Sequence, residues 1–267
     1  MAQPVSIENI IVKTIQKDLP LILLLGQDTW SAGGIPDPVL THALSYLGRD
    51  RDDNNGWPSL IGKEPLKENF YQWLAERFCR RVLPEWIETI LSFPWNAIFT
   101  SSLDPSLHRA LTPSGRSPQV VLTGDEVPPV LRSRTRTPLY YLFGRAGDDD
   151  RKSMPPSTSQ GLRTRRNVHA IPMLNNRLVE AATAIGTVII EGFNPKKDWI
   201  TVDSVLTIID QMPDGQVIWF GWKGNQDIDE LREIEELSKK GKVLLTKGKL
   251  SSFVAELNAS GKYNDSH

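Results

Sequence analysis

The uninterrupted aliphatic run Leu21 to Leu25, closed by Gly26, constrains this chain most. Apolar and polar residues do not alternate in it, so both faces are buried, as in an inner strand of a parallel sheet. A polar loop with Gly33 and Gly34 follows, and Asp37-Pro38 opens a helix carrying Leu40, Ala43, Leu44 and Leu47. A strand, a glycine-bearing turn and a helix form the unit with which α/β proteins hold a nucleotide. The loop amides and the positive helix end face a phosphate, and glycine lets the backbone approach it. The run matches neither G-x-G-x-x-G nor the P-loop, so an ordinary strand-to-helix connection is an equal reading.

The same grammar recurs. Ile7, Ile10, Ile11 and Ile15 sit at helical spacing, and a polar stretch from Gly48 to Gly62 predicts an exposed loop or lid. Leu66, Phe70, Trp73, Leu74, Phe78 and Val82 recur at three and four, and Pro84 starts a second helix. Such strict spacing makes the aromatic stripe core rather than a stacking platform. Strands are predicted at Ala97 to Thr100, Val120 to Gly124, Thr187 to Ile190, Val217 to Phe220 and Val243 to Leu245. Helices are predicted at Met173 to Ala184, Trp199 to Met212, Asp227 to Lys240 and Ser251 to Leu257. Asp104-Pro105 caps a further helix that brings His108 to the same face. Arg132, Arg134 and Arg136 alternate with Ser and Thr, as on a charge-blunted edge strand.

These units predict an α/β fold: a doubly wound, Rossmann-like parallel sheet with helices on both faces and a helical insertion over the cleft. One such domain is expected over 1–260, with the insertion at about 48–93, a mobile loop at about 147–167 and a disordered tail at 261–267. Formal net charge is −1, which gives no strong nucleic-acid signal, and no apolar run approaches the ~20 residues of a membrane helix. Cys79 is the single cysteine, so an internal disulfide and a cysteine-based zinc site are excluded; no metal is expected. A lone cysteine and the lack of a signal-peptide pattern suit a cytoplasmic protein.

Four short motifs resemble the sirtuin-like family of NAD-using proteins. The family's first motif, Gly-Ala-Gly-x-Ser followed by Ser-Gly-Ile-Pro-Asp-Phe-Arg, is matched by Gly26 and by Gly34-Ile35-Pro36-Asp37, while Asp28, Trp30 and Pro38-Val39 depart from it. The family's Thr-x-Asn-hydrophobic-Asp is matched by Thr100 and Asp104, with Ser102 in place of asparagine. Its Lys-Leu-His-Gly is matched by Gly144, with Phe143 where the catalytic histidine stands. The late segment Phe220-Gly221-Trp222 with Asp227 and Asp229 is similar to the one that lies against adenosine.

The resemblance implies NAD as cofactor and a site at Gly26, Gln27, Asp28, Gly33, Gly34, Ile35, Pro36, Asp37, Thr100, Ser102, Asp104 and Gly221, with no catalytic residue retained. It implies a regulatory or effector module of a bacterial anti-phage defence protein, holding NAD or a related nucleotide in a degraded centre. Further domains, partner subunits or a homo-oligomer belong to that expectation. Two alternatives stand beside it: a non-binding scaffold or interaction module, and an active NAD glycohydrolase releasing nicotinamide and ADP-ribose. A protein deacetylase is disfavoured, because deacetylating sirtuins carry a four-cysteine zinc module. Asp28 and Trp30 discriminate: side chains turned into the cleft favour the scaffold, and side chains turned outward favour binding.

Overall fold

The computed structural model describes residues 6–31, 37–49, 56–111, 117–121, 136–148, 150, 153–194, 197–222 and 229–261. In chain order the elements are α1 (Ile7–Gln16), β1 (Leu21–Leu25), α2 (Pro38–Tyr46), α3 (Phe70–Arg80), α4 (Glu85–Ser92), β2 (Ala97–Thr100), β3 (Ser117–Val121) and β4 (Arg136–Tyr141). Then come α5 (Ser159–Thr164), α6 (Ile171–Thr183), β5 (Thr187–Glu191), α7 (Val202–Gln211), β6 (Val217–Trp219), α8 (Asp229–Lys239), β7 (Val243–Leu245) and α9 (Leu250–Ser260).

Among the described residues the strands form one sheet of order β3-β4-β2-β1-β5-β6-β7, and every pairing is parallel. Strand β1 lies at its centre, which is why all five of its residues are buried. Alternate side chains of a strand go to opposite faces. Ile22, Leu24, Phe99, Tyr140, Val188 and Ile190 accordingly pack with residues of α2, α3, α6, α7 and α8. Leu23, Leu25, Ile98, Leu139, Tyr141 and Ile189 pack with residues of α1, α4 and α9 on the other side. The sheet is therefore doubly wound, as its continuous aliphatic strands predict.

The aromatic stripe of α3 is core: Phe70, Leu74 and Phe78 are fully buried. Two expectations are corrected. Of the stretch read as an exposed loop or lid, 50–55 lie outside the described residues, but Trp57 and Leu60 form a 3₁₀ turn buried in the core. The stretch read as a mobile loop is helical from Ser159 onward, because the Thr158 hydroxyl caps the Gly161 amide and Leu162 is buried. The 122–124 part of the predicted third strand, Arg132, Arg134 and the tail beyond Gly261 also lie outside the described residues.

From β1 the chain winds to β2, β3 and β4 on one side, then crosses back to β5 on the other. The β1–β5 boundary is thus the topological switch point, where open α/β sheets place ligands beyond the carboxyl ends of the strands. Here the two loops close on each other. The Gly26 amide donates to the Glu191 carbonyl (2.8 Å) and the Asp28 amide to the Gly192 carbonyl (2.9 Å). A Cβ on Gly26 would lie 2.7 Å from the Gly192 carbonyl carbon, and one on Gly192, whose φ is +65°, would lie 2.6 Å from Cα of Thr29. We expect Gly192→Ala to cost about 3 kcal/mol or more, from overpacking added to left-handed strain. A urea midpoint within error of wild type would contradict this packing.

Candidate functional site

The candidate site lies where β1 and β2 end. Gln27–Trp30 form a 3₁₀ turn directly after Gly26. Asp37 N-caps α2: its Oδ1 accepts from the Val39 amide at 2.9 Å. Asp104 follows β2, and its Oδ1 accepts from the Ser106 amide (2.8 Å) and hydroxyl (2.6 Å). Both aspartates are almost wholly buried. The Gly33, Gly34, Ile35 and Pro36 positions lie outside the described residues.

What joins the two acids is Arg81, at the end of α3. Its guanidinium reaches Asp37 (Nη1 to Oδ1, 3.2 Å) and Asp104 (Nη2 to Oδ2). The same group lies over the Trp30 ring, 3.6 Å from its centroid. Trp30 is buried, and its indole Nε1–H donates to the Ser102 hydroxyl at 3.2 Å. Three segments thus converge on one guanidinium. Two carboxylates balance its charge with one unit to spare. Burial pushes the Asp37 carboxyl above its ordinary range, with Arg81 and the Val39 amide pulling the other way.

The amides of the turn are also engaged. Besides those of Gly26 and Asp28, the Gln27 amide donates to Asp198 Oδ2 at 2.8 Å. Asp198 is fully enclosed and further accepts from the Ser101 hydroxyl and the Ile200 amide. Burial nonetheless raises its pKa to about 6. A protein carboxylate therefore occupies this amide. The Asp28 side chain is half-buried and accepts from the Ser31 hydroxyl. Thr100 donates its hydroxyl to the Leu25 carbonyl and accepts from the Ser102 amide, bracing the turn after β2.

At the other end of the crevice Glu191 closes β5. Burial raises its carboxyl to about 7, against the Leu250 amide and Lys249, and the Asp28 carboxylate adds to the rise. Its Oε2 is buried without a hydrogen-bond partner. Gly221 abuts it: a Cβ there would lie 3.8 Å from that oxygen. Phe143, at the place of the resemblance's histidine, is fully buried and meets Trp199 edge-on at 5.5 Å. Asp104 and His108 make no mutual hydrogen bond among those the structure records; Asp104 turns to Ser106 and Arg81, and His108 Nδ1 is buried without a partner.

Of the residues the sequence nominates, the fold brings Gly26, Gln27, Asp37, Thr100, Ser102 and Asp104 together, with Asp28 at the rim and Gly221 beside Glu191. Arg81, Asp198 and Glu191 escape the sequence reading. The available signal for Arg81 was the Arg80-Arg81 pair ending an amphipathic helix, since two motif aspartates destined for burial require a cation.

Two outcomes follow. Arg81→Met leaves two buried carboxylates unpaired and is expected to cost about 3–5 kcal/mol at neutral pH. The deficit shrinks on acidification, since the folded variant then binds more protons than the unfolded chain; an equal deficit at pH 5 and pH 8 in urea melts would refute the ion-pair role. Glu191 has a folded pKa of about 7 against an ordinary 4.5, so it lowers stability as pH rises between those values. Glu191→Gln is expected to match wild type at pH 4 and to exceed it by roughly 2 kcal/mol at pH 8. A variant weaker than wild type at pH 8 would contradict this.

No family model matches the chain, and no curated protein matches it. Among solved structures it is similar to the crystal structure of a Sir2 homolog–NAD complex, at TM-score 0.48 and 14% identity over 100% of this chain and 98% of that one.

Proposed function

We propose that this chain is a sirtuin-like module with a dismantled catalytic centre, acting as an interaction or regulatory module of a bacterial defence protein rather than as an enzyme. The observation that carries the reading is Arg81, held between Asp37 and Asp104 over Trp30. Release of nicotinamide from NAD develops positive charge on the ribose, which a site stabilises with negative charge. Here a guanidinium is paired with both nearby carboxylates, so it offsets one of their two charges and keeps both turned to itself and away from a ribosyl cation. Phe143 cannot transfer a proton, and general acid–base help is ordinarily about 10²–10⁴ in rate. Ser102 is engaged by the Trp30 indole. Of the two discriminating side chains, Trp30 is turned inward, which supports the interaction module, while Asp28 lies half-buried at the rim and supports neither reading.

One observation favours a second reading, in which a nucleotide binds without being cleaved. The unpartnered Oε2 of Glu191 beside Gly221 is an acceptor suited to a ribose hydroxyl. An adenosine half could be held there while Arg81 and Trp30 keep the other half of the cleft filled.

Proton NMR of the purified chain mixed with NAD separates the readings. The interaction module predicts no free nicotinamide and sharp NAD lines. Broadened adenine lines without nicotinamide would establish the second reading. Nicotinamide released by wild type and not by an Asp104→Ala, Ser102→Ala variant would overturn the proposal.

A further inference from the structure

Residues 159–183 form one helical segment: α5, a π-helical turn over Arg165–Ala170, then α6. Pro172, in the first turn of α6, has no N–H for the Val168 carbonyl, and its ring crowds that carbonyl. A widened turn relieves both. Such turns are frequent at functional sites, so what this one holds matters. Across it Leu162 and Ala170 are buried, and Arg166 reaches the loop between β5 and α7.

That loop carries Asp198, whose Oδ2 takes the Gln27 amide (2.8 Å) and the Ser101 hydroxyl (2.9 Å) and whose Oδ1 takes the Ile200 amide (3.1 Å). It is fastened on both sides of the carboxylate. Before it, Gly56 (φ +64°) lies so close that a Cβ there would stand 2.8 Å from Cα of Lys197. After it, Arg166 Nε donates to the Trp199 carbonyl at 2.7 Å, while the Trp199 ring is fully buried. Burial disfavours the charge on Arg166, and the nearby Asp198 carboxylate favours it. Gln27, Ser101, Asp198 and Ile200 are all buried, whereas Arg166 is half-buried. Of these bonds, the one from Arg166 is therefore the one that water reaches first.

We infer that Arg166 is the latch of the cleft: its bond to the Trp199 carbonyl holds Asp198 on the Gln27 amide, and its release frees the turn after β1. This deepens the proposed function and rests on its reading of a cleft closed by the chain's own groups. A buried carboxylate gains hydration as soon as its loop lifts, so Asp198 itself favours opening. Two fastenings oppose it. The contact of Gly56 with Lys197 is backbone against side-chain stem and yields only if the backbone moves. The bond from Arg166 yields by rotation of one side chain, yet it is charge-assisted and so stronger than a neutral one. Arg166 is thus a positioning residue, acting on Gln27 through Trp199 and Asp198 and coupling the π turn to the end of β1.

The test is amide hydrogen exchange of the whole chain, read residue by residue by NMR without nucleotide. Gln27 and Ile200 donate to Asp198, while Leu23, paired on both sides within β1, reports global unfolding. In wild type, Gln27 and Ile200 are expected to exchange faster than Leu23, corrected for intrinsic rates, and to respond little to low urea, as local opening requires. Arg166→Met is expected to speed both by about tenfold or more, the worth of a charge-assisted bond. A bond that only supports the fold would speed Leu23 alone, because local opening would not break it; that result overturns the proposal. So does wild-type exchange of Gln27 at the protection of Leu23, which would mean that the turn opens only with the whole sheet. Arg163→Met, at an exposed position ending α5, is expected to leave all three rates within about twofold, and equal acceleration by it overturns the assignment to Arg166. If the methionine variant does not fold, Arg166→Lys, which loses the planar fork, is expected to speed Gln27 and Ile200 by about threefold, and unchanged rates overturn the latch. No nucleotide enters the experiment, so failure here leaves the NAD result standing, and nicotinamide release leaves these rates as they are.

Discussion

One cation joins the parts of this protein that meet beyond the ends of β1 and β2. Arg81 comes from the helical insertion, Asp37 from the start of α2, Asp104 from the loop after β2 and Trp30 from the turn after β1. Buried carboxylates are costly without a partner, and a buried guanidinium is equally costly alone. Each therefore requires the others, and the insertion is pinned to the sheet at the point where the fold would open a cleft. A cation–π contact with Trp30 helps hold the guanidinium, and the indole in turn engages Ser102. Substituting any one member leaves a buried polar group unmatched.

The switch point shows a second closure of the same kind. The amides after β1, which in a nucleotide-binding fold face phosphate, are paired with the Glu191 and Gly192 carbonyls and with the Asp198 carboxylate. Gly26 and Gly192 are small where the two loops touch, since a Cβ on either would meet the other loop's backbone. The architecture is that of a doubly wound parallel sheet, and the loops at its switch point bond to one another. Function lives in sites rather than folds, and here they point in different directions.

Much of the architecture was legible from residues alone. Continuous aliphatic runs such as Leu21 to Leu25 and Thr187 to Ile190 announce strands buried on both faces, and the 3.6-residue spacing of Phe70, Leu74 and Phe78 announces core. The helix at Ser159–Thr183 was half hidden. Its first part is polar and basic, and it is held by anchors distant in sequence, Met154 and Trp199, that no local pattern reveals. The site was legible as a list but not as a constellation. Asp37 and Asp104 stand out as motif residues, whereas Arg81 looks like any solvated helix end until the fold brings it 23 and 44 residues away in sequence to its partners. Asp198 and Glu191 are long-range acquisitions in the same sense.

The central claim is that side chains of this chain fill its own cleft. The most direct measurement is a crystal structure grown in millimolar NAD. The account predicts the Arg81 guanidinium between Asp37 and Asp104 over the Trp30 ring, with no nucleotide across Gly26. A dinucleotide lying over Gly26, with Arg81 and Trp30 swung out of the cleft, would contradict it.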